Sequence, residues 1–151
     1  MSDKITAYWN KFLLKNGLDE KTNYMECFHF DLSEEVANEL LQLVLDGKKS
    51  ATASSLWYFE KSNLPLPEIG GYSIITDWAG NPKCVIQTTA IQILLFKEMT
   101  YDICKREGED DSLESWQKNH IKFFSREGDE LGYQFNQDMP IVFEDFKVVY
   151  K

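Results

Sequence analysis

The length and composition of the chain predict one globular domain and exclude several classes of protein. Its 151 residues are 43% hydrophobic and 14% aromatic, which is enough to fill a packed core. No apolar run approaches the roughly 20 residues of a membrane-spanning helix, and a net charge of −9 repels polyphosphate. We therefore expect a single domain over residues 1–151 that binds neither membranes nor long duplex nucleic acid.

The N-terminal segment and the cysteines indicate a cytoplasmic protein with reduced thiols. Asp3 and Lys4 precede an amphipathic segment that lacks the uninterrupted apolar run of a signal peptide. The three cysteines are widely spaced and form no CxxC pair, so neither a disulfide framework nor a zinc knuckle is expected. No pair of cysteines or histidines has the spacing typical of zinc or iron sites. We predict no metal and no cofactor.

Two amphipathic helices are predicted in the first part of the chain. The first ends at Gly17, and the second, capped by Asp31 or Ser33, ends at Gly47. The apolar face of the first consists of Tyr8, Trp9, Phe12 and Leu13. The apolar stripe of the second consists of Val36, Ala37, Leu40, Leu41, Val44 and Leu45. These stripes predict that each helix packs through one face.

The middle of the chain is predicted to form a loop followed by a β-hairpin. Residues 56–71 begin with three aromatic residues and contain Pro65, Pro67 and a Gly-Gly pair, so we predict a long loop that borders a site. Residues 72–76 and 84–93 are rich in β-branched and apolar side chains, and the turn residues AGNP lie between them. These two segments form the predicted hairpin.

Two further helices and closing strands are predicted in the C-terminal third. Residues 100–107 indicate a short helix closed by Gly108, and Asp111 can cap another. One face of that second helix carries Leu113, Trp116, Gln117, His120 and Phe124. Apolar residues then alternate along the C-terminal strands, with a change of phase at Glu144 and Asp145 that predicts a bulge or bend. Such strands suit the closure of a barrel.

The segment GKKSATAS, residues 47–54, concentrates groups that can carry chemistry. Lys48 and Lys49 supply positive charge, and the hydroxyls of Ser50, Thr52 and Ser54 can donate, accept or attack. The segment is not a phosphate-binding loop, because the first glycine of that motif is missing and the helix precedes the lysines. The alternative is a solvated helix end, where lysines favour the negative end of the helix dipole.

Aromatic side chains could stack on a nucleobase, an interaction worth about 1 to 3 kcal/mol per base. The candidates are Trp57, Tyr58, Phe59, Tyr72 and Trp116. Core packing is the alternative for all of them and is favoured for Trp116, which lies on an apolar helical stripe. His120 lies one turn further along and could act as an acid, hydrogen-bond a ligand or serve as a packing residue.

An acidic run separates the two predicted C-terminal helices. The carboxylates of Glu107, Glu109, Asp110 and Asp111 could hold Mg²⁺ or Ca²⁺, although the run lacks the alternation of an EF-hand. A solvated loop that caps the following helix is the favoured alternative.

Several motifs in this order resemble the longer branch of the ASCH family over essentially the whole chain. They are GKKSATAS, PLPEIGGYSII, NPKCVIQTT, EGEDDSLESWQKNHIKFF and PIVFEDFKVVY. The resemblance implies an α+β fold, a PUA-like β-barrel (the ASCH domain) with flanking helices, and a link to RNA metabolism. The chain departs from the family pattern at Gly71, where an acidic residue is usual, and at Asp110, where an EGEGD-like run would place glycine.

The family resemblance also implies candidate activities. Some smaller members are amidohydrolases that deacetylate N4-acetylcytidine with a Lys, Thr and Glu trio, and a longer relative is described as a ribonuclease. By motif position the trio falls on Lys49, Thr52 and Glu107. In one scheme Thr52 attacks, neutral Lys49 takes its proton and Glu107 serves the leaving amine. In the other, Lys49 stays charged and Glu107 is the base.

Three function classes follow from these observations. The first is a small hydrolase that acts on RNA or a modified nucleoside. The second is a non-catalytic module that holds an RNA segment or nucleotide in the same cleft, and the third is an interaction protein whose aromatic loop forms a homodimer patch. In the first two, the expected ligand contacts are Lys48, Ser54, Trp57, Tyr72, Trp116 and His120.

Overall fold

The structure, a computed structural model, describes residues 3–151 as a chain of five helices and five strands. The helices are α1 (Asp3–Lys15), α2 (Glu34–Leu45), α3 (Leu56–Lys61), α4 (Tyr101–Cys104) and α5 (Leu113–Leu131). The strands are β1 (Glu26–Phe28), β2 (Ala51–Ser55), β3 (Tyr72–Thr76), β4 (Pro82–Leu95) and β5 (Pro140–Tyr150). No helix in this described part is long and apolar enough to cross a membrane.

The five strands form one mixed sheet that curves into a half-barrel. Its order is β1-β3-β4-β5-β2, in which β1 runs parallel to β3 and the other neighbours are antiparallel. The predicted hairpin is confirmed as β3 and β4. The edge strands β1 and β2 both supply residues to the cleft described below, for example Glu26 and Thr52.

A β-bulge lies where the sequence predicted one, but on the partner strand. Thr88 pairs with Phe146 and Ala90 with Asp145, so the extra residue lies on β4 rather than on β5. A second bulge, with its extra residue Val149 on β5, lies near the end of that strand. At Glu144 and Asp145 β5 itself is regular, and the face that is covered changes there. Residues 141 and 143 belong to one buried cluster, whereas Phe146 belongs to another. The change of phase in the apolar pattern of β5 therefore arises because one face of the strand is covered before Glu144 and the other face after Asp145.

Three helices cover the sheet through the apolar faces that the sequence predicted. α1 buries Trp9 and Phe12 in a cluster with sheet residues of β3 and β4. α2 buries Leu41 and Val44 in a second cluster. α5 buries Trp116 and Phe124 in a third, together with residues of β2 and β5. Because each helix contributes one stripe, its opposite face stays available to solvent or to a cleft.

The structure differs from the sequence predictions at two further places. The start of the predicted loop at residues 56–71 is helix α3, whose first turn is capped by the Ser55 hydroxyl accepting from the backbone of Trp57 at 3.1 Å. Helix α5 is capped by Ser112 and not by Asp111. The segment 100–107 forms α4 and a 3-10 turn, Lys105–Glu107, which ends at Gly108 as expected.

Candidate functional site

A cleft of about 700 Å³ opens beside the end of α2. Its walls come from β1, the loop after β1, α2, β2, α3, the loop before α5, α5 and β5. The residues proposed from the sequence that line it are Lys49, Thr52, Ser54, Tyr58, Phe59, Glu107, Glu109, Asp110 and His120. The structure therefore brings the Lys, Thr and Glu trio to one cavity, although residues 49 and 107 are far apart in the chain.

Two backbone segments dock on each other at the floor of this cleft. The amides of Lys48 and Lys49 both donate to the carbonyl of Leu43, which closes α2. The amide of Ser50 donates to the carbonyl of Arg106 at 3.0 Å. Gly108 has φ +70°, and a Cβ there would lie 2.1 Å from the Lys48 carbonyl oxygen. Only glycine permits this approach, which places the acidic run over Lys49.

Lys49 is buried, with 2% of its surface exposed, and its ammonium is fully engaged. Nζ donates to the Ala51 carbonyl at 2.8 Å, to Glu107 Oε2 at 3.4 Å and to Glu109 Oε2 at 2.5 Å. Burial alone would lower the pKa of Lys49, but the charges of Glu109 and Glu107 outweigh it and raise that pKa. The amine is therefore a fixed positive charge, and the alternative of a neutral Lys49 base lacks the environment it requires.

Glu107 is the buried anion at the centre of the cluster. Its Oε1 accepts from Trp116 Nε1 at 2.8 Å, and its Oε2 lies 3.5 Å from His120 Nε2. Burial would raise the pKa of Glu107, but the positive charges of Lys49 and His120 lower it strongly. A carboxylate held so firmly in its charged form is a weak base. It serves instead to hold its cationic partners.

His120 bridges Glu107 and the backbone of its own helix. Its Nδ1 lies 2.8 Å from the carbonyl oxygen of Trp116, which can only accept, so Nδ1 carries a proton. Its other nitrogen faces a carboxylate. Burial opposes the charged form, yet the charge and hydrogen bond of Glu107 raise the pKa of His120. The ring also stacks on Trp116 at 4.1 Å between centroids.

Glu109 differs from Glu107 in exposure and in titration. Its side chain is 18% exposed and lines the cleft. Burial raises the pKa of Glu109 to about 7, because the positive charge of Lys49 is offset by the negative charge of Glu107. Such a carboxyl can both give and take a proton near neutral pH. Sequence reasoning treated Glu109 only as one member of a solvated or cation-binding acidic run.

Thr52 and Ser54 belong to the strand that forms one wall of the cleft. Both lie on β2 at alternate positions, so their side chains share a face of the sheet. Thr52 is half-buried, and its hydroxyl forms no hydrogen bond within residues 3–151. A hydroxyl at a cavity wall without a protein partner can bind or attack a ligand.

The other predicted ligand contacts lie outside the cleft lining. Lys48 is exposed beyond it. Trp57 packs against the core cluster that contains Trp116 and Phe124, and its ring centroid lies 5.6 Å from that of Tyr133. Tyr72 packs against α1, and Trp116 is 0% exposed, so its ring has no free face for a base. The aromatic residues that do line the cleft are Phe28, Phe30, Tyr58, Phe59 and Phe123.

The acidic run has two further properties. Ligand atoms of Glu107, Glu109 and His120 lie within 4.8 Å of one another, a grouping that could hold a cation. The ammonium of Lys49 already contacts both carboxylates.

Asp110 has a negative φ, so the presence of aspartate where the family pattern has glycine introduces no backbone strain. Its Oδ1 accepts from the side chains of Ser115 and Asn119 at 2.7 Å each.

Comparison with known proteins identifies the class to which this fold and site belong. The crystal structure of an ASCH domain from Lactobacillus crispatus matches with a TM-score of 0.87 and 32% identity, covering 100% of this chain and 97% of that one. A protein from Enterococcus faecalis matches with a TM-score of 0.90 and 33% identity, covering 99% and 90%. A hypothetical protein at 21% identity, covering 82% and 97% with a TM-score of 0.51, shows likeness of fold alone.

These neighbours define an α+β protein with the PUA-like fold, as the sequence predicted. A sequence model of the ASCH domain matches residues 26–150. The chain therefore belongs to the ASCH domain family, and the resemblance seen in its motifs is confirmed. A comparison with curated protein sequences gave no significant match.

Proposed function

We propose that the protein is a hydrolase that removes an acyl group from the base of a modified nucleoside, with N4-acetylcytidine as the first candidate. The observation that carries the proposal is the buried Lys49, Glu107 and Glu109 cluster on the floor of a cleft that also carries Thr52. Buried ion pairs seldom stabilise a fold more than apolar residues would, so stability alone does not explain the cluster. Strongly perturbed groups inside a cavity are typical of active sites.

The arrangement supplies the groups that acyl transfer requires. Thr52 offers a hydroxyl nucleophile on a rigid strand. Lys49 keeps its positive charge through Glu107 and the Ala51 carbonyl. When Glu109 carries its proton, the Lys49 donor that contacts Glu109 can turn to the negative charge developing on the acyl oxygen. Glu109, with its pKa about 7, gives a proton to the leaving amine and recovers it from water. Glu107 keeps Lys49 in place.

The charge of the cleft favours a nucleoside over a phosphate-rich ligand. Eight carboxylate side chains line it, against three lysine or arginine side chains. This local excess adds to the overall charge of −9, so each phosphate that enters must overcome repulsion. A volume of about 700 Å³ lies within the usual range for small-molecule sites. Apolar and aromatic side chains in the lining can contact the base.

Turnover of N4-acetylcytidine by purified protein tests the proposal. Wild type is compared with Lys49→Ala, Thr52→Ala, Glu107→Ala and Glu109→Gln, and release of cytidine is followed by chromatography. We expect Thr52→Ala to abolish turnover and Glu109→Gln to reduce it about 100-fold or more, the usual contribution of a general acid. Lys61→Ala, at the exposed end of α3, serves as a matched lysine control and should leave the rate unchanged.

Absence of turnover would favour a different use of the same cleft. Saturable binding of the nucleoside without cytidine release would indicate a binding module. Cleavage of short single-stranded RNA would indicate a ribonuclease. A complex held by several phosphates weakens steeply with added salt, whereas nucleoside binding does not, so a salt series separates the two ligand classes.

A further inference from the structure

The cleft holds another carboxylate beside Thr52 that the roles above do not use. Glu144 on β5 is the direct register partner of Thr52 on β2, and both residues line the cleft. Side chains paired in this way across antiparallel strands share a face, and their Cβ atoms are about 4.5 to 5.5 Å apart. The sheet therefore fixes a carboxylate next to the candidate nucleophile.

A buried hydroxyl holds this carboxylate from its other side. Thr88 on β4 has 2% of its surface exposed, and its Oγ1 donates to Glu144 Oε2. The second oxygen, Oε1, receives no hydrogen bond from residues 3–151. One oxygen is thus anchored by the protein, while the other can accept a proton.

The surroundings of Glu144 make it a stronger base than an exposed carboxylate. Burial raises its pKa, the hydrogen bond from Thr88 lowers it in part, and the negative charge of Glu26 on β1 raises it further. Glu26 is itself held by a hydrogen bond from Tyr58 at 2.8 Å. A base of raised pKa accepts a hydroxyl proton more readily.

We infer that Glu144 is the catalytic base that removes the proton of Thr52, and that Thr88 is the residue that positions it. The inference rests on the proposed hydrolase. The Thr52 oxygen bonds to the acyl carbon as its proton passes to Glu144, and the C–N bond breaks as Glu109 protonates the amine. Water then attacks the Thr52 ester and gives one proton to Glu109. Glu144 returns its proton to the Thr52 oxygen, so both carboxyls regain their starting states.

The test compares Glu144→Gln with Asp145→Asn on the same strand. Both remove one negative charge from β5, but Asp145 pairs with Ala51, contacts Arg106 at 3.1 Å and lies outside the cleft. We expect Glu144→Gln to lower kcat on N4-acetylcytidine about 100-fold with little change in KM. Asp145→Asn should stay within about twofold of wild type, because Asp145 lies outside the cleft and forms its ion pair with Arg106 at the protein surface, away from Thr52.

Thr88 provides a second, independent measurement. Thr88→Val keeps the shape but removes the donor, and we expect it to lower kcat about tenfold without raising KM, whereas Thr88→Ser should restore most of the rate. Thermal unfolding of each variant confirms that it is folded. A merely structural role of Thr88 would reduce stability without this selective effect on kcat.

The outcomes distinguish a failure of this inference from a failure of the proposed function. Turnover that depends on Thr52 but not on Glu144 would overturn the role of Glu144 and leave the hydrolase intact. A Glu144→Gln effect confined to KM would make Glu144 a recognition residue and also overturn the role. Wild-type protein without any turnover would refute the hydrolase and this inference together.

Discussion

The substitution Glu109→Gln should remove much of the pH dependence of stability near neutral pH. Burial, only partly offset by Lys49, raises the pKa of Glu109 from 4.5 to about 7. A raised pKa means that the folded state holds the proton more tightly than the unfolded state. The resulting stabilisation is complete below pH 4.5 and is lost as the pH rises through about 7. The difference corresponds to about 3 kcal/mol of unfolding free energy.

Two neighbours of Glu109 also affect how the free energy of unfolding depends on pH, and their effects have opposite signs. His120 also has a raised pKa, so its stabilisation too is lost as the pH rises. Glu107 has a lowered pKa, so its stabilisation is present above the unfolded value of 4.5 and is lost only in acid. Between about pH 5 and 8 the wild-type protein should therefore become less stable. What remains in Glu109→Gln is the contribution of His120 and of the other carboxyls whose pKa burial raises, Glu26, Glu127 and Glu144.

Urea unfolding of wild type and Glu109→Gln at several pH values measures this effect. Glu114→Gln, an exposed carboxylate on α5, controls for the change of net charge. We expect the free energy of unfolding of wild type to fall by up to about 3 kcal/mol more than that of Glu109→Gln over this range. If the free energy of unfolding had the same dependence on pH in wild type and in Glu109→Gln, the environment assigned to Glu109 would be refuted.

Three further substitutions test the architecture of the cluster. Lys49→Met leaves the buried Glu107 and the partly buried Glu109 without their shared cation and should cost about 3 to 5 kcal/mol at pH 8 in urea unfolding. A loss below about 1 kcal/mol would contradict the burial of Lys49 in the ion pair. Gly108→Ala places a Cβ against the Lys48 carbonyl at a positive φ, so we expect a lower melting temperature and reduced turnover, and an unchanged melting temperature would argue against this contact. Trp116→Phe removes the donor to Glu107 and should cost about 1 to 3 kcal/mol, with near-wild-type stability as the contrary result.

The elements that depend on local pattern were predictable from the sequence. Apolar residues recur at helical spacing in α1, α2 and α5 and are dense in β3 and β4. These patterns depend only on which residues must be buried, so they can be read without knowing the tertiary contacts. Helix α3 was not predicted, because its six residues carry too little periodicity and the signal that starts it is one hydroxyl cap at Ser55. Short elements of this kind depend on tertiary contacts more than on propensity.

The candidate site was predictable only in part, for a different reason. The family motifs identified Lys49 and Thr52 as candidates. The hypothesis of a neutral Lys49 was wrong because it did not include its carboxylate partners, which lie about 60 positions away in the chain. Glu109 and Glu144 acquire their surroundings from the docking of Gly108 on Lys48 and from the pairing of β2 with β5. Neither contact leaves a local pattern in the sequence. The burial of Trp116, by contrast, was the favoured prediction from its place on the apolar stripe of α5, and the structure confirms it.

The most direct measurement of the central claim is the detection of an acylated Thr52. Protein is mixed with excess N4-acetylcytidine, quenched in acid within the first turnovers, digested and analysed by mass spectrometry. The account predicts an acetyl mass increment on the peptide that contains residues 51–55, and its absence from the same peptide of Thr52→Ala. Rapid cytidine release by wild type with that peptide unmodified at every time point, or equal release by Thr52→Ala, would contradict it.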